Sequence, residues 1–75
     1  MGYRVEFRAT TPAPRTIDHR VSHCRFPTLL DALRIAKVEA NAMTVVQATD
    51  VEVRIYDRRN QLARSLLASY AFKCA

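Results

Sequence analysis

The most reactive side chains in this 75-residue chain stand close together, at His19, His23 and Cys24. Imidazole and thiolate are common zinc ligands, and a thiol beside an imidazole can be activated as a nucleophile. The spacing argues against both. On a strand, His19 and His23 share a face but lie about 13 Å apart at roughly 3.3 Å per residue, and Cys24 points to the opposite side. A helix would bring the two imidazoles together without supplying a third ligand. Asp18, Asp31, Asp50 and Asp57 fall at caps, turns and segment ends, where a carboxylate serves the backbone. Gly2 is the only glycine, so no loop of bare backbone can cradle a phosphate. These patterns point to a non-enzymatic binding protein with no metal and no cofactor.

Twelve Lys plus Arg oppose seven Asp plus Glu, for a net charge of +5, and ten of the twelve cations are Arg. The planar guanidinium fork grips carboxylates and phosphates and stacks on flat rings. An anionic partner is therefore expected, either an acidic protein surface or nucleic acid, although a charge of this size also serves solubility. Cys24 and Cys74 are the only cysteines, and the first residues contain no apolar run of signal-peptide length. A reducing, cytoplasmic setting with free thiols follows, with a Cys24–Cys74 bridge as the alternative. No stretch approaches 18 uninterrupted apolar residues, so no membrane span is expected.

Two segments must position whatever chemistry there is. Tyr3, Val5, Phe7 and Ala9 interleave with Arg4, Glu6 and Arg8, while Val51, Val53 and Ile55 interleave with Glu52, Arg54 and Tyr56. This period of two predicts half-buried strands with one apolar and one charged face. The first strand runs from about Tyr3 to Thr10, where Thr11-Pro12-Ala13-Pro14 stops it. A weaker strand, suited to a sheet edge, is predicted from Thr16 to Phe26. Thr28 and Asp31 form a shortened capping box after Pro27. The helix they open has a stripe of Leu29, Leu33, Ala36, Ala40 and Met43, widened by Leu30, and ends either near Asn41 or after Val46. Asp57-Arg58-Arg59-Asn60 fits a type I turn with Asn60 left-handed, predicting a hairpin over Val51 to Ala68. A helix from Gln61 to Cys74 is the competing reading, because Leu62, Leu66, Leu67 and Tyr70 also fit helical spacing.

The order strand, strand, helix, strand, strand predicts a single α+β domain, a four-stranded antiparallel sheet with one helix packed on one face. In the simplest hairpin register Tyr56 faces Leu62, Arg54 faces Arg64 and Glu52 faces Leu66. The open sheet face then displays Arg4, Glu6, Arg8, Glu52, Arg54, Tyr56, Leu62, Arg64 and Leu66, with Arg58 and Arg59 at the hairpin tip. Arg54 opposite Arg64 costs stability unless an anion or carboxylate lies between them. An aromatic and aliphatic centre with an arginine rim is the composition of an interface hot spot; the alternative is that Glu6 and Glu52 simply neutralise the arginines. The expected function is a small interaction or regulatory module, an adaptor, antitoxin-like regulator or phage-type inhibitor. It would bind a protein partner with an acidic surface through Arg4, Arg8, Arg54, Tyr56, Arg58, Arg59 and Arg64. Contact with nucleic-acid phosphates through the same arginines is the alternative. A chain this short buries only about 60% of its unfolded surface, so a homodimer is also expected.

Overall fold

The alternating segments become the centre of a sheet in the computed structural model, which describes residues 2–70. The elements are β1 (Arg4–Ala9), β2 (Arg15–Ile17), α1 (Leu29–Gln47), β3 (Val51–Tyr56) and β4 (Leu62–Ala68), with a short 3₁₀ turn at Arg20–His23. The strands lie in the order β2-β1-β3-β4 and every neighbouring pair is antiparallel. Val5, Phe7 and Ala9 of β1 and Val51, Val53 and Ile55 of β3 are fully buried on the inner face. This is the α+β architecture expected from the sequence. Among the described residues, no helix is long and apolar enough to cross a membrane.

The helix covers that inner face. The Thr28 hydroxyl accepts the Asp31 N–H at 3.1 Å, satisfying one of the donors left open in the first turn. Ala32, Ala36 and Ala40 are fully buried, so the helix lies close on the sheet, with Leu29 and Leu33 half-buried at its flank. The helix continues to Gln47, past Asn41, and stops where Ala48 turns left-handed at φ 52°. The N–H groups of Ala48 and Thr49 both return to the Thr44 carbonyl, so the end is closed without glycine.

The second strand is much shorter than Thr16 to Phe26. It ends at Ile17, because His19 caps the 3₁₀ turn: its Nδ1 accepts the Val21 N–H at 3.1 Å. Val21, within that turn, is buried in the core. With Nδ1 accepting, the ring proton sits on Nε2, which meets Glu39 of α1 at 3.2 Å. The ring also packs edge-on against Phe7. His23 lies against Asp18 at 2.8 Å, so the two imidazoles are engaged separately. Phe26 comes back beside Tyr3 as a single bridge, with bonds of 2.7 and 2.9 Å.

The hairpin forms, with a strand over Leu62–Ala68 where the competing reading put a helix; residues 71–74 of that reading lie outside the described residues. Asn60 is left-handed at φ 62°, its N–H reaches the Asp57 carbonyl at 2.9 Å, and Asp57 Oδ1 accepts the Arg59 and Gln61 N–H groups. Tyr56 pairs with Leu62 as expected, but the register then shifts by one residue at Ala63. Arg64 therefore faces Ile55, Ser65 faces Arg54, Leu66 faces Val53 and Leu67 faces Glu52. The expected pairings of Arg54 with Arg64 and Glu52 with Leu66 are replaced. Two gains account for the bulge: Leu66 and Ala68 turn towards the core, and the two guanidinium groups no longer stand opposite one another.

An alanine in the left-handed region costs roughly 1–2 kcal/mol, of which glycine relieves most while losing some entropy in the unfolded chain. Ala48→Gly is expected to stabilise the fold by about 0.5–1 kcal/mol, a rise in melting temperature of about 2–8 °C for a domain of this size. A fall in the thermal melting temperature would show that the helix end is not limited by this backbone conformation.

Candidate protein-docking site

The register of β1 against β3 arranges the open face. It sets Arg4 opposite Tyr56, Glu6 opposite Arg54 and Arg8 opposite Glu52, so charges of opposite sign alternate both along and across the two strands. Arg8 Nε lies 3.6 Å from Glu6, and Arg54 Nε lies 3.4 Å from Glu52. The Arg54 guanidinium is held above its ordinary pKa, first by hydrogen bonding with the Tyr56 side chain and then by the Glu52 carboxylate. Such partly exposed pairs add little stability, but they set a carboxylate beside each of Arg8 and Arg54, although Arg8 Nε itself is buried without a hydrogen-bond partner. The middle of the sheet is thereby close to electrically neutral.

The hairpin end is different. The Arg4 guanidinium carbon lies 4.4 Å from the centroid of the Tyr56 ring, and Nη2 donates to Asn60 Oδ1 at 2.6 Å. Asn60, left-handed in the loop, is the residue whose side chain meets Arg4 of β1. Leu62 continues the same row on β4 and is 55% exposed. Arg58 and Arg59 project from the tip, and neither forms an ion pair among the described residues. With Tyr3, Pro27, Asp57 and Gln61 they line an open cleft of about 510 Å³. The arginine is thus stacked and hydrogen-bonded beside an aromatic ring and an exposed leucine, and side chains held in this way would lose little entropy in a contact.

Of the expected residues, Arg4, Tyr56, Arg58 and Arg59 gather at this end, whereas Arg8 and Arg54 lie on the same face but are tied to glutamates. Arg64 is displaced to the helix side of β4 by the bulge. Leu67, 56% exposed, takes the outward place expected for Leu66. The role of the Asn60 side chain was hidden, because its contact with Arg4 joins residues far apart in the chain. A second row on α1, Ile35, Val38, Ala42 and Val45, is also exposed; its 3, 4, 3 spacing is plain in the sequence once the core stripe is set aside. The exposed Cys24 thiol donates to the Arg20 carbonyl, while Cys74 lies outside the described residues. Among the described residues, no cluster of three or more His, Cys, Asp or Glu side chains could hold a metal ion.

No family model matches the chain, and neither a search of curated proteins nor one of solved structures finds a similar one. The reading of the site therefore rests on its geometry. A double-mutant cycle of Arg4→Ala and Tyr56→Leu, followed by urea unfolding, is expected to give a coupling energy of about 0.5–1 kcal/mol for the stacked pair. Additive effects would mean that the guanidinium does not rest on the ring in solution.

Proposed function

We propose that this chain is a small protein-docking module that acts as a homodimer and binds an acidic protein surface through the hairpin end of its open sheet face. The observation that carries the reading is the Arg4–Tyr56 stack, pinned by Asn60 beside exposed Leu62. Tyr56 and Leu62 form the apolar centre of the contact, and Arg4, Arg58 and Arg59 form its basic rim. Arg8 and Arg54 contribute less, because their glutamate partners would have to be displaced before either could serve an incoming anion. A role as a cytoplasmic adaptor, antitoxin-like regulator or inhibitor of phage type fits a small basic module with an exposed aromatic and arginine-bearing end.

Nucleic acid is the second reading, and the unpaired Arg58 and Arg59 are what favour it, since a guanidinium fork suits phosphate as well as carboxylate. Two features weigh against it. Arg4 occupies one face of the Tyr56 ring, where a base would stack. Glu6 and Glu52 also place negative charge in the path of a phosphate backbone.

Capture from nuclease-treated lysate at about 50 mM and about 500 mM salt separates the two, because phosphate contacts weaken steeply with ionic strength. A protein partner retained after nuclease treatment is expected, with retention falling at least about tenfold in Tyr56→Ala and in Arg58→Glu combined with Arg59→Glu. Arg64→Glu, on the other side of the sheet, should bind as wild type. Loss of capture on nuclease treatment selects the nucleic-acid reading, and wild-type capture by both hairpin variants moves the site elsewhere.

A further inference from the structure

α1 is apolar on two opposite sides. Ala32, Ala36, Ala40 and Met43 face the sheet. The far side carries Ile35, Val38, Ala42 and Val45, with Val46 next to them, and Val38, Val45 and Val46 are 66%, 71% and 80% exposed. Core packing does not account for these residues. Helix propensity does not either, because β-branched side chains are among the poorer helix formers on a solvent face. A helix that is apolar on both sides is ordinarily covered on both.

We propose that this row is the seam along which two copies of the chain pair, helix against helix and parallel, about a two-fold axis. The 3, 4, 3 spacing places Ile35 and Ala42 at the first and Val38 and Val45 at the fourth position of successive heptads, the positions that interlock in a helix pair. The flanking positions hold Arg34 and Glu39. Their five-residue separation is the one at which a flanking charge reaches its opposite on a parallel neighbour, so one chain supplies both halves of a self-complementary pair. Arg34 is exposed and has no ion pair among the described residues. Glu39 meets His19 through Oε1, which leaves Oε2 to face a guanidinium.

Charge complementarity selects both the occupant and its direction. An opposed pairing would bring Glu39 against its own copy, whereas the parallel pairing sets it against Arg34 twice. Asp31 lies on the same row one heptad before Val38 and would meet a like charge, so the helices diverge at their amino ends. They approach most closely at Ala42, whose small side chain admits the second backbone. Four residues per helix make a short seam, so a weak, concentration-dependent association is expected. The inference rests on the homodimer reading but not on docking at the hairpin end. The two surfaces lie on opposite sides of the molecule and fail separately.

Sedimentation velocity of the full chain from about 10 μM to about 1 mM spans the relevant range. The wild-type mass is expected to rise from one chain towards two, while Val38→Glu and Val45→Glu stay at one chain with an unchanged thermal transition. Should either glutamate variant lose its transition, Val38→Ser provides the same comparison without a charge. Val45→Cys, in a chain also carrying Cys24→Ser and Cys74→Ser, is expected to form a disulfide-linked dimer on mild oxidation, since a parallel pair sets residue 45 against itself. A wild type that is monomeric throughout overturns the proposal, as does a dimer indifferent to both glutamate variants. Association that Val38→Glu abolishes but Val45→Cys cannot cross-link would mean opposed helices and overturn the Arg34–Glu39 pairing. None of these results bears on capture of an acidic partner by the hairpin end.

Discussion

The antiparallel register between β1 and β3 sets Phe7 against Val53, Val5 against Ile55 and Ala9 against Val51. All six are buried, and five of them, Ala9 excepted, cluster with Ala32, Ala36 and Ala40 as the floor on which the helix rests. Because side chains alternate across a strand, the same register sets Glu6 against Arg54 and Arg8 against Glu52 on the other side. A slip of one residue would invert both faces together, exposing the floor and burying charge. The core and the charge pattern of the outer face are thus two results of one pairing.

The helix imposes a second constraint through its alanines. Ala32, Ala36 and Ala40 bring its axis near the sheet, so little room is left between the layers for a ligand cavity. The hairpin end of the sheet is basic and aromatic, while the outer side of the helix is aliphatic, so the two suit different kinds of contact. An arginine-rimmed patch selects a partner by charge, whereas a row of valines excludes water without regard to charge.

Much of this was legible in the sequence because it depends on neighbours along the chain. The period of two in β1 and β3, the Thr28 cap and the left-handed Asn60 are local patterns with local causes. The failures are all tertiary. His19 ends β2 by capping a turn that Glu39 and Phe7 hold in place, and nothing between Thr16 and Phe26 announces those distant partners. Leu66 and Leu67 are adjacent leucines, so alternation alone could not say which faces the core; the bulge that decides it leaves no mark on Ala63 itself. The charge pairing of β1 with β3 required a register between segments more than forty residues apart, and with it the balance between free and neutralised arginines.

The bulge at Ala63 does more than choose a leucine. An extra residue on one strand sharpens the local twist, and this one sits directly beneath the loop that carries Arg58, Arg59 and Asn60. Pairing is regular from Arg64 to Ala68 below it, so those residues keep their faces whatever twist the bulge gives the tip. Deleting that one small residue would leave every cross-strand pair in place and change only the aim of the basic tip, with the hydrophobic floor left as it is.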